Sequence, residues 1–372
     1  MARLLLFFLV FSFLSGNING QSLSKTLDEI PLNKKIGQML TIGFRGMTIA
    51  DTNHIVRDIQ KYHLGGVILF DYDVPRGQAK RNIRSSEQLK TLVKKLKALS
   101  YSPLIVSIDQ EGGKVNRLKP KYGFPPSVSA QYLGELNNID STRKYARRTA
   151  HTLSKIGINV DFAPVVDLNV NPDNPIIGKL GRSYSSKPTT VVKHAGTFIQ
   201  TLNEYDIQTV LKHFPGHGSS KKDSHLGVVD VTDTWSEKEL IPYRQLINTG
   251  KADAIMTAHI FNAQIDSSYP ATLSKPTITG LLRNKLEYDG VIFSDDMMMG
   301  AIRKEYGLQT AIKQAIMAGV DILAFGNNSI YDPNIVPKAH RIITELVDKG
   351  VINEEQIDQS YKRIIRFKTQ LK

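Results

Sequence analysis

Eight short apolar runs, each followed by a polar loop and then a helical pattern, constrain this chain more than any other feature. They are Met39–Phe44, Val67–Phe70, Leu104–Ile108, Val160–Val166, Ile207–Leu211, Ala254–Ala258, Val291–Phe293 and Ile322–Phe325. They lack apolar–polar alternation, so they read as strands buried on both faces, the habit of parallel sheets. Between them, Leu89, Leu92, Val93 and Leu96 share one helix face behind Ser85 and Gln88, which are spaced as a capping box. Ser141 is placed to cap a helix through Ile156, which Gly157 ends. Ala311, Ile312, Ala315 and Ile316 line a helix ended by Gly319, and Ile357, Tyr361, Ile364 and Ile365 line the last. This alternation predicts a single (β/α)8 TIM-type barrel; a doubly wound sheet has the same period and remains the alternative.

The first residues stand apart from that pattern. Arg3 precedes an unbroken apolar run from Leu4 to Val10, and small and polar residues follow from Ser15 to Gly20. This is the layout of a signal peptide over residues 1–20, too short to span a bilayer, leaving 21–372 to fold. The expectation is an exported, monomeric protein of the periplasm or the medium, with no stable membrane span. The chain has no cysteine, hence no disulfide and no cysteine-linked lipid. Its formal charge is +13, and losing Arg3 leaves +12. That charge suits an anionic polymer such as cell wall. Export and the lack of a basic–aromatic module point away from nucleic acid.

In a parallel barrel the reactive groups gather where the strands end. The third run ends in Asp109-Gln110-Glu111-Gly112-Gly113, with Arg117 beyond, and the fourth ends near Asp167, before Gly181-Arg182-Ser183. The fifth opens into Lys212-His213-Phe214-Pro215-Gly216-His217-Gly218, then Ser219 to Lys222 and Asp223-Ser224-His225, which reads as an irregular loop. The sixth ends at His259 and the seventh in Ser294-Asp295-Asp296. Neighbouring strand residues point opposite ways, so one of Asp295 and Asp296 faces the pocket and the other orients the next turn. A pocket carboxylate can attack an anomeric carbon while a separate acid protonates the leaving oxygen. Asp223, two residues before His225, can hold that ring and support its charged form. No nucleophile-elbow serine, Walker loop or Rossmann loop is present. His213, His217, His225 and His259 with Asp295 could instead hold a metal, but no His-x-His pair supports this.

In this order the segments resemble glycoside hydrolase family 3, in its single-domain β-N-acetylglucosaminidase branch. The resemblance runs from about Ile36 to the C-terminus. It rests on Ile108 to Val115, Phe162 to Asp167, Ile177-Gly178 with Gly181-Arg182-Ser183, Lys212 to Gly218 with Asp223-Ser224-His225, and Phe293 to Met297. It implies that 21–372 is the family's N-terminal-type catalytic barrel, a retaining exo-hydrolase of N-acetylglucosaminides from peptidoglycan or chitin, with no metal or cofactor. Asp295 matches the nucleophile, His225 the acid/base and Asp223 its dyad partner. Asp109, Arg117, Arg182, Lys212 and His213 match positions that bind the hydroxyls of the non-reducing-end sugar. Glu111 and His217 are assigned to structure. Lys221 and Lys222 make the loop basic, which suits an anionic wall fragment. The rivals are a β-glucosidase, xylosidase or phosphorylase of the same family, a metal-dependent barrel hydrolase and a non-catalytic wall-binding protein.

Overall fold

The computed structural model describes residues 29–50, 53–224 and 226–371. The expected signal peptide and His225 lie outside the described residues. Each of the eight apolar runs forms a strand: β1 (Leu40–Gly43), β2 (Gly66–Leu69), β3 (Ile105–Ile108), β4 (Val160–Asp161), β5 (Gln208–Phe214), β6 (Ala254–Thr257), β7 (Val291–Phe293) and β8 (Leu323–Phe325). All pair in parallel, in chain order. β1 also pairs with β8, and a bridge between Phe293 and Ile322 joins β7 to the start of β8. The sheet therefore closes into the predicted barrel; a doubly wound sheet would leave both edges free. Every residue of these strands is buried, which explains why none of the runs alternates.

The β7–β8 seam is short on ladder bonds, and side chains complete it. Ser294 Oγ accepts from Ala324 N at 2.9 Å, and Asp321 Oδ2 accepts from Ile292 N at 2.9 Å. Asp321 is fully buried and neutralised by Arg283 at 2.6 Å and Arg363 at 3.3 Å.

Two strands differ from the sequence reading in ways that shape the site. β4 stops at Asp161, because Pro164 has no N–H to give the ladder, and pairing resumes only at a Val165–Lys212 bridge. β5 runs to Phe214, so Lys212 and His213 are strand residues and not loop residues. Helix starts differ as well. Asn138, not Ser141, caps Ile139–Ile156: its side chain accepts from Ser141 N at 2.8 Å. Ser85 accepts from Gln88 N, but Gln88 Oε1 accepts from Arg84 N and its amide serves Met47 and Asn82 carbonyls, so that capping box is half made. The complete box is Asn353 with Gln356, opening the last helix, Glu354–Lys368. Gly157 and Gly319 end their helices at φ 92° and 108°, as expected. Among the described residues no helix is long and apolar enough to cross a membrane.

Asp321→Ala strips Arg283 and Ile292 N of their buried partner at the seam. It is expected to cost about 3–5 kcal/mol, read as a lower urea midpoint with the same slope.

Candidate active site

Because all eight strands are parallel, their last residues meet at one rim around a pocket of about 340 Å³. Asp109, Arg117, Arg182, Lys212, His213, His217 and Asp295 all line it, so six of the eight residues singled out for catalysis or sugar binding converge there. Asp223 is half-buried on the loop beside Ser224, a pocket-lining residue, and His225 lies outside the described residues.

The floor is a cluster of opposed charges. Lys212 Nζ, 2% exposed, sits 2.8 Å from Asp109 Oδ1 and 2.6 Å from Glu111 Oε1. Arg182 grips Glu111 with two bonds of 2.8 and 2.7 Å and gives a third to Ile176 O. Arg117 reaches Asp109 at 3.4 Å. Burial pushes both carboxyls up, but the cations outweigh it: Arg182 and Lys212 bring Glu111 to about 2, and Lys212 and Arg117 hold Asp109 below its usual range. Burial opposes the charge of Lys212 and Arg182, and the carboxylates reverse that, raising both. The result is a set of permanently charged groups fixed in place, fit to direct hydrogen bonds at sugar hydroxyls. The Arg117 and Arg182 contacts are therefore pocket contacts rather than surface salt bridges. Glu111, assigned to the glycine turn from sequence, instead holds the two cations. Gly112 and Gly113 do make the turn, at φ 94° and 59°, and a Cβ on Gly112 would lie 2.2 Å from Val128 O.

Asp167 organises the second wall. It accepts from His213 N, from His213 Nδ1 at 2.7 Å and from His217 N at 2.8 Å. Arg182 can only donate, and it meets His213 Nε2 at 3.2 Å, so Nε2 accepts and Nδ1 carries the proton to Asp167. His217 is buried between Ser220 Oγ at 2.6 Å and Ser224 Oγ at 3.2 Å. Burial, reinforced by His213, lowers it to about 4 and keeps it neutral. Its role in holding the loop matches the structural reading. The loop base is clamped further. Gly218 N donates to Glu239 Oε2 at 2.9 Å, Trp235 Nε1 donates to Pro215 O at 3.0 Å, and a Cβ on Gly218 would meet Leu168 O at 1.7 Å.

Asp295 and Asp296 divide their work. Asp295 Oδ1 accepts from Asp296 N at 2.7 Å and borders the pocket. Asp296 also touches the pocket, but its Oδ1 is taken by Met298 N and Gly326 N, both at 2.9 Å, so it orients the following turn. His259 supports this turn by donating Nε2 to Asp296 O at 3.0 Å. Among the described residues no cluster of three or more His, Cys, Asp or Glu has the arrangement of a metal site. His213 and His217, weighed as ligands, each spend both ring nitrogens on protein partners.

Two acids, one lining the pocket and one buried under it, carry no motif. Asp71 follows β2, lines the pocket and pairs with Lys119 at 2.6 Å. Asp161 lies buried beneath the charge cluster, with Oδ1 accepting from Gln110 N and Oδ2 without a hydrogen-bond partner. Only the neighbourhood of both in space, not their sequence, marks them.

A parallel barrel whose rim holds paired carboxylates, a neutral imidazole and fixed cations around a small pocket has the layout of a barrel glycosidase. The description "Glycosyl hydrolase family 3 N terminal domain" fits residues 31–367, and the chain belongs to glycoside hydrolase family 3. It is 32% identical over 345 residues to the β-hexosaminidase LpqI of Mycobacterium tuberculosis, covering 90% of this chain and 82% of that protein. A family 3 β-N-acetylglucosaminidase from Paenibacillus sp. str. FPU-7 superposes with TM-score 0.84 at 33% identity, over 92% of this chain and 62% of that longer one. A β-N-acetylhexosaminidase from Beutenbergia cavernae gives 0.82 at 26% identity, over 92% and 99%. The protein is thus a glycoside hydrolase that groups with β-N-acetylhexosaminidases.

Burial holds the Asp161 carboxyl up at about 8, whereas the unfolded chain ionises it near 3.8. The folded state therefore keeps a proton that the unfolded state loses, and this contribution to stability fades as pH rises from about 4 to 8. Asp161→Asn removes the effect. The melting temperature of the variant relative to the parent is expected to climb between pH 4.5 and 8, by the equivalent of roughly a few kcal/mol.

Proposed function

We propose that the protein is an exported, retaining exo-β-N-acetylglucosaminidase acting on non-reducing terminal N-acetylglucosamine of peptidoglycan or chitin fragments. The observation that carries this is one pocket holding both Asp295 and the fixed cluster of Asp109, Arg117, Arg182, Lys212 and His213. Such a cluster suits sugar hydroxyls, and Asp295, lining the same pocket, supplies the carboxylate this reading requires at the anomeric carbon. The name of the Paenibacillus relative, a β-N-acetylglucosaminidase, supports the N-acetylglucosamine preference.

In the first step an Asp295 oxygen bonds to the anomeric carbon as the glycosidic C–O bond breaks. The departing oxygen keeps the electron pair and takes a proton from His225, whose charge Asp223 supports. In the second step His225 takes a proton from water, the water oxygen bonds to the anomeric carbon, and Asp295 leaves. The carboxylate for the first step is pre-oriented by the Asp296 N–H. The Arg182 and Lys212 charges are in place before substrate arrives, so little reorganisation remains for the transition state. Export follows from the character of residues 1–20 and accounts for a substrate met outside the cytoplasm. Lys221 and Lys222, both exposed on the loop, suit the carboxylate of a wall fragment.

Hydrolysis of the 4-nitrophenyl β-glycosides of N-acetylglucosamine, glucose and xylose, with and without EDTA, tests this reading. The N-acetylglucosaminide alone is expected to be cleaved, unaffected by chelator, and Asp295→Ala should lower kcat by about 10³-fold or more. Cleavage of glucoside or xyloside in preference would overturn the sugar assignment, and loss in EDTA the metal-free one. A second comparison addresses the loop. Lys221→Ala/Lys222→Ala is expected to lower kcat/KM on anionic muramyl fragments by about fivefold at low salt and to spare neutral chitobiose.

A further inference from the structure

One stretch of pocket wall lies outside the groups described so far. Between Asp71 and Asn82 the chain forms a small antiparallel hairpin, Tyr72–Asp73 against Gln78–Ala79. Side chains alternate along it. Asp73 faces the protein body, where Arg45 clasps it at 2.6 and 2.9 Å and Arg81 stands at 3.6 Å. Tyr72 and Val74 take the other face. They are 42% and 56% exposed, yet both line the pocket.

Two paired residues per strand do not hold a hairpin by themselves. This one is held from outside. Buried Arg81 donates to Asn328 Oδ1 at 2.8 Å and to Asn327 O at 2.8 Å, while Asn328 accepts from Val74 N and donates to Tyr72 O. The Arg45 guanidinium lies 3.6 Å over the Tyr331 ring, whose hydroxyl meets His54 Nε2 at 2.8 Å, with Asp58 behind that ring at 3.0 Å. Two large apolar side chains are thus kept in water at the mouth of a pocket by a mostly buried polar scaffold. Such an arrangement costs solvation and serves something that arrives from solvent.

We propose that Tyr72 and Val74 form the leaving-group subsite: an apolar ledge for the sugar ring on the far side of the scissile bond. The inference rests on the glycosidase reading above. Asp295, Gly326, Asn328 and Tyr72 line the same pocket; Gly326 N donates to Asp296, the neighbour of Asp295, and Asn328 donates to Tyr72 O. Once the terminal sugar fills the charged floor, whatever extends along that wall is attached to the leaving oxygen. A pyranose presents an apolar C–H face with hydroxyls around its edge, which suits a tyrosine ring. The polar atoms of Asn328 are committed to the hairpin, so the ledge selects by shape and apolar contact rather than by charge. Its preset geometry means the leaving sugar is oriented without ordering a loop.

Two substrates separate the subsite from the rest of the site. N,N′-diacetylchitobiose carries a leaving sugar ring; N-acetyl-β-glucosaminyl fluoride carries a leaving group with no ring. Tyr72→Ala in the full chain is expected to lower kcat/KM on the disaccharide by about tenfold or more, and on the fluoride by less than about threefold. Tyr72→Trp, which keeps an aromatic face, is expected to retain the disaccharide rate. Equal losses on both substrates, or no loss on the disaccharide, overturn the subsite. A parent protein that cleaves neither substrate overturns the glycosidase reading and the subsite with it.

Discussion

A lysine amine withdrawn from water between two carboxylates is the interaction on which the pocket depends. Lys212 comes from β5, while Asp109 and Glu111 follow β3, so this one cation ties together two walls of the barrel mouth. Burying any of these charges alone would cost several kcal/mol. Each is tolerated because the others are present: Arg182 completes Glu111, and Arg117 completes Asp109. The pattern extends through Arg182 to His213 and through His213 to Asp167. The charged floor, the base of the loop after β5 and the strand ends therefore form a single electrostatic unit. Beneath it, burial and the Asp109 and Glu111 charges outweigh the pull of Lys212 and hold the Asp161 carboxyl up at about 8.

The fold was legible because parallel strands advertise themselves as unbroken apolar runs, and the eight runs became the eight barrel strands. The boundaries failed where polarity and burial part company. Lys212 and His213 read as loop residues since nothing in one dimension reveals that Asp109, Glu111 and Asp167 are waiting for them. Helix caps failed similarly: Asn138 and Ser141 are both good caps by chemistry, and the backbone path chose the earlier one. In the site, the motif residues Asp109, Arg117, Arg182, Lys212, His213 and Asp295 came together as expected. Glu111, Asp167 and Glu239 do their work through partners far away in sequence, so residue type alone could not assign them. The Tyr72 hairpin has no motif; its only sign was an apolar run ending in acids and a tyrosine.

The loop that carries the acid/base candidate is built in two halves. As far as Ser220 it is clamped by Asp167, Glu239, Trp235 and Asn171. Beyond that point Lys221 and Lys222 stand in solvent. The clamp fixes where the chain departs from the barrel, which limits the positions that Asp223 can occupy. On the opposite side of the mouth, the hairpin is fixed by Asp73 and Asn328. The two sides of the pocket are thus stabilised by different means, one by side chains bonded to the loop backbone and the other by guanidinium clasps.

The β7–β8 seam also bears on how the chain reaches this state during synthesis. β1 is made early, yet its second neighbour is β8, more than 280 residues later in the sequence. Until β8 leaves the ribosome, the growing sheet has a bare edge on β1 and another on its newest strand. Ser294 and Asp321, which reinforce the seam, both belong to the last quarter of the chain. The barrel can thus be sealed only once β8 has been made, and a sheet without β8 has two open edges.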